Sequence, residues 1–442
     1  MREMRKVPIV AKLLFSLIVS LVGSSPGAGA VVRPGSVSAD YERMRSAAFA
    51  HMSGEEMAEA ERSVMRMVCD MALVPPRIEM HPATNRYACR PIASAFHGYA
   101  INRRLAEIRM WKFAMNGGSC GTRGGRLWRV WMAGEDGPEA YVVGARSDDY
   151  GKTWSEPQFV VDGHFKDDWC HGLALQRSNL FANLWTDPTG RMHLFLCQMT
   201  QIYDGRQSLW EFVCDDPDAD EIVWSKARYL WHGMPHNKPT VLKNGAWLLP
   251  VTLEQDVNGL WPDLPRGCGA LISKDGGGTW TPGGFARPEG TDHWCEHTFV
   301  ELSDGRIKMV LRTGKGPMES YSADGGLTWS KPVSTSGWFR NPVARFQFMK
   351  LRSGCWLLVK NGDDRLSYDD NYGLSGSGRN KLKAYFSSDE GKTWGAPVVL
   401  DLRDSVAYPD ACELADGSVY VSWEFDRRGR AEICGKIIRP LH

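Results

Sequence analysis

The octapeptide running from Ser147 to Trp154 returns three times, from Ser273 to Trp280, from Ser322 to Trp329 and from Ser387 to Trp394. All four copies read S-x-D-x-G-x-T-W. A repeat of this kind constrains the fold more than any other feature, because one repeat cannot bury its apolar face alone and must stack on its neighbours. The spacing also has a local mechanism. Ser and Asp side chains bond nearby backbone in a tight turn, and Gly supplies the positive φ the turn needs. Thr and Trp then open a strand, and the Trp carries enough apolar surface to lock the turn onto a neighbour. Each copy therefore predicts a stapled β-hairpin.

A second repeat runs beside the first. Gly125, Gly190, Gly245, Gly305, Gly354 and Gly417 each follow a polar stretch and precede an apolar strand-like run, at intervals of 65, 55, 60, 49 and 63 residues. Each interval suits one four-stranded antiparallel sheet with its loops. Asp215-Asp216-Pro217, leading to Trp224-Ser225, reads as a decayed copy of the octapeptide in the second unit. The expected fold is all-β: six such sheets arranged radially as a six-bladed β-propeller, which protects most strand edges by closure. A seventh blade stays open if a divergent one hides in residues 85–125.

The chain ahead of the repeats differs. Arg2, Arg5, Lys6 and Lys12 make a basic start, Leu13 to Val22 an apolar run too short for a membrane span, and Ala28-Gly29-Ala30 a small-residue cleavage pattern. Residues 1–30 are thus expected to be a signal peptide, with a retained anchor as the alternative, and the protein secreted or periplasmic. Ser53 and Glu56 form a capping box, and Met57, Ala60, Val64, Met67 and Met71 recur at helical steps until Pro75-Pro76. Residues 31–85 are expected to be a short helical N-terminal extension, and residues 86–442 the propeller.

Charge narrows the partners. With 53 basic and 52 acidic residues and no long run of either, nothing recommends nucleic acid or an anionic membrane surface. Eleven Cys are an odd number, and no C-x-x-C pair supplies a zinc framework. No metal and no cofactor is expected, and nothing calls for more than a monomer. Cys197, Cys355 and Cys412 lie in apolar runs where Cys serves as a small buried hydrophobe.

The octapeptide on a six-unit pattern resembles the Asp-box, or BNR, repeats of the sialidase (neuraminidase) superfamily, over roughly residues 85–440. The resemblance implies that the boxes are structural and that chemistry lies elsewhere, since fold alone does not license an activity. Glu296, followed by Glu301-Leu302-Ser303-Asp304-Gly305 and Arg312, is similar to the segment that supplies a catalytic Glu and a substrate-binding Arg. Tyr408, with Leu414 and Asp416-Gly417 behind it, resembles the stretch holding the catalytic Tyr. Arg345 would correspond to a further arginine, and Arg90, in Cys89-Arg90-Pro91-Ile92, to the family's R-I-P element with Pro and Ile exchanged.

The implied activity is an exo-acting, retaining glycosidase that releases a terminal acidic sugar from a glycan, with sialic acid first. Arg90, Arg312 and Arg345 would clamp the sugar carboxylate. Tyr408 would be the nucleophile, an exception among glycosidases, and Glu296 the base that takes its proton. The acid/base would sit on the loop before the first box, at Asp136, with Glu135 and Glu139 as rivals.

Two features keep other readings open. Asp410, two residues after Tyr408, would repel an anionic sugar if it pointed inward. His236 and His297 stand near the expected cleft as substrate-binding candidates, with His293 on the other side of Glu296, and they would suit proton transfer as well. A hydrolase or lyase for uronic-acid glycans is the rival enzyme, and a non-catalytic glycan-binding propeller the rival of another class.

Overall fold

The computed structural model describes residues 75–80, 113–137, 140–162, 178–199, 207–253, 265–289, 296–362 and 378–440, together with Glu55. Strand β1 (Arg77–Met80) precedes the first blade, which consists of β2 (Met115–Gly121), β3 (Leu127–Ala133), β4 (Tyr141–Ser147) and β5 (Phe159–Asp162). The second is β6 (Ser178–Thr186), β7 (Met192–Met199), β8 (Gln207–Cys214) and β9 (Arg228–His232). The third is β10 (Thr240–Val241), β11 (Trp247–Leu253), β12 (Gly267–Ser273) and β13 (Thr281–Ala286). The fourth is β14 (His297–Glu301), β15 (Ile307–Leu311), β16 (Met318–Ser322) and β17 (Val333–Ser334). The fifth is β18 (Gln347–Lys350), β19 (Trp356–Lys360), β20 (Asn380–Ser387) and β21 (Val398–Asp404). The last is β22 (Val406–Glu413), β23 (Val419–Phe425) and β24 (Glu432–Ile438).

Within each blade, sequential strands pair antiparallel, so the described residues make a six-bladed propeller. At most seams a first strand touches its counterpart in the next blade, as β2 does β6 and β14 does β18, and β2 against β22 closes the ring. This explains the sequence pattern. Strand β7, sandwiched between neighbouring blades, is buried at every position, whereas the outer strand β17 is exposed at both. Residues 77–80 fell within the expected N-terminal extension, but they pair with β5 and add a fifth strand to the first blade. Of the expected helix after Ser53 only Glu55 is described, and its backbone is helical. The expected signal segment lies outside the described residues.

The two sequence repeats form turns at the same end of the blades. The six repeat glycines all sit between first and second strands, with φ from 79° to 100°. The octapeptides join third to fourth strands in blades one, three, four and five. In the first, Ser147 Oγ donates to Asp149 Oδ1 at 2.7 Å and accepts from Gly151 N–H at 2.9 Å. Asp149 also accepts from Thr153 N–H and Oγ at 2.9 and 2.7 Å, and those bonds hold its exposed carboxyl low, at about 2. Gly151, with φ of 80°, lies so close to Tyr420 that a Cβ there would approach the ring to 2.9 Å. Each box tryptophan reaches the preceding blade. Trp154 stands 6.0 Å from Tyr420 across the closing seam, Trp280 stands 6.2 Å from Phe195, and Trp329 Nε1 donates to the Gly284 carbonyl.

One long cation links blades that are not neighbours. Lys238, entering the third blade, reaches the last blade and meets Asp410 Oδ2 at 2.5 Å and the Ala411 carbonyl at 2.7 Å. Asp410 also accepts from Ser119 N–H and Oγ of the first blade, at 2.7 and 3.0 Å. Its carboxylate is therefore ion-paired with Lys238 in a buried seam.

Candidate active site

Strand direction decides which end holds the chemistry. Because the glycine turns and the boxes share one end, the opposite end receives the entries to first strands and the loops between second and third strands. Glu296 enters β14, Arg345 precedes β18, and Tyr408 lies in the opening of β22. Arg312 follows β15, while Asp136, Arg379 and Arg427 lie in the second-to-third-strand connections of blades one, five and six. All of them come to the same end, away from the boxes.

Tyr408 is the centre. A register shift between Ala407 and Asp410 interrupts its pairing with β23, and its φ is 53°, a left-handed conformation unusual for a tyrosine. Such strain persists only where surroundings over-determine it. Here the Tyr408 carbonyl is held by Asn116 Nδ2 at 2.8 Å and by Arg345 Nη2 at 3.4 Å.

Four guanidinium carbons surround the Tyr408 ring, at 5.9 Å for Arg312, 5.1 Å for Arg345, 5.5 Å for Arg379 and 4.3 Å for Arg427. Arg312 Nη1 donates both to Glu296 Oε2 at 2.8 Å and to the Tyr408 hydroxyl at 2.9 Å. Burial would raise the Glu296 carboxyl, but Arg312 outweighs it, with Arg345 adding to the effect, and holds the group at about 2. Arg312 is itself raised against its own burial, chiefly by Glu296. Arg379 Nη2 and Arg312 Nη2 both donate to the Val343 carbonyl, at 3.2 and 3.1 Å, so the two guanidiniums stand side by side. Burial lowers Arg379 below the ordinary arginine value, and Arg427 adds to that.

The expected residues that fall within the described segments have definite places. Glu296, Arg312, Arg345 and Tyr408 come together, and Asp136 joins them through Arg427, whose Nη1 lies 3.5 Å from Asp136 Oδ2. Arg345 is turned to main chain: Nη1 donates to the His236 and Gly117 carbonyls at 3.2 and 3.3 Å, and Nη2 to the Asn116 carbonyl at 3.0 Å. It forms the floor under the ring and ties four blades there. His236 packs edge-on against Phe181 with ring centroids 4.5 Å apart. Its burial pushes the imidazole down to about 3, so it is neutral at ordinary pH. Its Nε2 has no hydrogen-bond partner among the described residues. His297 is placed differently from the cleft expected for it. Its ring is fully buried, with Nε2 on the Gly269 carbonyl at 2.7 Å and Nδ1 3.5 Å from Thr252 Oγ1. Arg90, Glu139 and His293 lie outside the described residues.

Arg379, Arg427, Glu424 and Asn116 were missed by sequence reasoning. Arg379 and Arg427 lie on loops without a repeat of their own, so no local signal marked them. Among the described residues no group of three or more His, Cys, Asp or Glu could hold a metal ion, and no helix is long and apolar enough to cross a membrane. Among the described residues no two cysteines are joined by a disulfide.

Comparison with known proteins agrees with this architecture. The BNR repeat-like domain profile matches residues 125–421. A sialidase of Vibrio cholerae serotype O1 is 22% identical over 313 residues, covering 60% of this chain and 38% of that protein's length. The chain thus spans well under half of that relative. A Hadza microbial sialidase superposes with a TM-score of 0.57 at 19% identity, over 75% of this chain and 66% of that one. A leech intramolecular trans-sialidase gives 0.54 at 16% identity, over 75% and 69%. The intramolecular trans-sialidase of Ruminococcus gnavus gives 0.53 at 16% identity, over 75% and 95%. At these identities the structures speak for the fold alone.

Proposed function

The chain belongs to the BNR repeat-like family of the sialidase superfamily, and from that membership and the geometry at Tyr408 we propose that it is a retaining exo-glycosidase for a terminal acidic sugar, with sialic acid as first choice. The observation that carries the reading is the shared Arg312 Nη1, which holds an ionised Glu296 and the Tyr408 hydroxyl together. A phenol is a poor nucleophile until it loses its proton, and a paired base with a fixed cation addresses both the proton and the charge that develops. Glu296 takes the proton, Arg312 stabilises the forming phenolate, and the phenolate attacks the anomeric carbon. A neutral phenol also avoids repulsion by the sugar carboxylate beside that carbon.

The carboxylate lies against the adjacent guanidiniums of Arg312 and Arg379, with Arg90 as a third donor. Arg345, with both Nη groups on main-chain carbonyls, supports the Tyr408 strain from below. Asp136 protonates the leaving oxygen and then activates water for the second step. Neutral His236, with a buried unpartnered Nε2, adds a hydrogen-bonding group to the sugar pocket.

Purified protein and Tyr408→Phe are assayed for release of a fluorogenic α-sialoside and of a matching glucuronide. Sialoside turnover that falls at least ~10³-fold in Tyr408→Phe supports the reading. Turnover of the glucuronide alone would move the substrate to uronic acids. Binding without turnover, unaffected by the substitution, would leave a glycan-binding propeller.

A further inference from the structure

Arg427 has no part in the chemistry above, yet it touches groups that do. It lies in the turn after β23, where Asp426, with φ of 45°, accepts from the Gly429 and Arg430 N–H groups at 3.1 and 3.0 Å. Its own carbonyl accepts from Ala114 N–H at 2.9 Å, so its backbone is anchored to the first blade. Its guanidinium carbon is 4.3 Å from the Tyr408 ring centroid, the nearest of the four cations. Nε donates to Glu424 Oε1 at 2.6 Å, and Nη1 stands 3.5 Å from Asp136 Oδ2. The other Glu424 oxygen accepts from Asn116 N–H at 3.1 Å, and the Asn116 amide donates to the Tyr408 carbonyl at 2.8 Å. The contacts close a circuit from the Tyr408 ring to its own backbone, with Asp136 attached.

The circuit spans the seam where the last blade meets the first. Nucleophile and acid/base come from opposite sides of that seam, and small errors in their spacing are expensive in rate. A planar guanidinium can stack on a ring and pair at its edge at once, which an ammonium cannot. Resting on the hydrolase reading above, we propose that Arg427 is a positioning residue that couples the Asp136 loop of the first blade to the Tyr408 ring of the last.

The test compares two substrates in the full chain. An aryl sialoside has a leaving group that needs no proton, whereas the sugar leaving group of sialyllactose does. In Arg427→Met, kcat/KM on sialyllactose falls on the order of 10²-fold, while kcat/KM on the aryl sialoside, which reports the first step alone and not the water activation both substrates share, loses less than about fivefold. Arg427→Lys, which keeps charge but not the planar fork, gives the same split and serves if the Met variant does not fold. Equal losses on both substrates, or none, would overturn the proposal. If wild-type protein turns over neither sialoside, the hydrolase reading fails on its own account. Amide exchange of residues 134–137 then decides the coupling: faster exchange in Arg427→Met upholds it, and unchanged exchange overturns it.

Discussion

The Tyr408 hydroxyl accepts a hydrogen bond from Arg312 Nη1 at 2.9 Å. The two residues are 96 positions apart and come from different blades, so only the closed ring brings them together. The same nitrogen holds Glu296, which makes the three groups one electrostatic unit.

Glu296→Gln tests that unit by removing charge at constant shape. The substitution leaves Arg312 buried with its main carboxylate partner gone, which costs about 3–5 kcal/mol of stability. Activity falls roughly 10²–10⁴-fold for loss of the base. In the wild type the folded carboxyl is depressed from 4.5 to about 2. Its stabilising contribution is therefore complete above pH 4.5 and is lost as pH falls toward 2. Denaturant titrations at several pH values check this: wild type loses stability over that window, and Glu296→Gln loses less.

Arg345→Met separates floor from clamp. Arg345 bonds main-chain carbonyls of His236, Gly117, Asn116 and Tyr408, so its loss orphans several buried acceptors at once. We expect a loss of about 3 kcal/mol or more in urea unfolding. A loss below about 1 kcal/mol, with KM raised and folding intact, would return Arg345 to direct substrate contact.

His193 gives a prediction away from the site. Its Nδ1 lies 2.8 Å from Glu211 Oε1 and its Nε2 3.2 Å from Asp187 Oδ2, in a buried network. Burial would lower the imidazole, but the two carboxylates outweigh it and raise the group above its ordinary 6.5. The stabilisation is thus fully present below pH 6.5 and is lost as pH rises through the raised value. Arg191 and Arg228 continue the network to the Gly276 and Gly278 carbonyls of the next blade's box. Thermal melts should show Tm falling above pH 6.5 in wild type and a flatter profile in His193→Phe.

The fold was legible because its turns are chemically expensive to vary. A positive φ at six glycines and a Ser-Asp-Gly-Thr bonding pattern leave fixed spacings in sequence, and these gave blade number and register. Residues at the far end carry no such local requirement. Glu296, Arg312 and Tyr408 were recognisable because they flank glycine turns at fixed distance. Arg379 and Arg427 lie on loops with no pattern of their own, and their importance comes from convergence on one ring. His297 and Arg345 show the reverse case: a polar residue near a motif can be turned to buried main chain. Asp410 is the same case, a carboxylate that ties a seam.

Covalent trapping at Tyr408 tests the central claim most directly. A difluorinated sialosyl donor slows breakdown of the glycosyl-enzyme intermediate of a retaining enzyme, so the adduct accumulates. Peptide mass spectrometry of the treated protein should find one added monofluorosialosyl group, the anomeric fluoride having left, on the peptide containing Tyr408, and none in Tyr408→Phe. A sialoside-cleaving protein that carries no adduct, or carries it on another residue, would contradict the account.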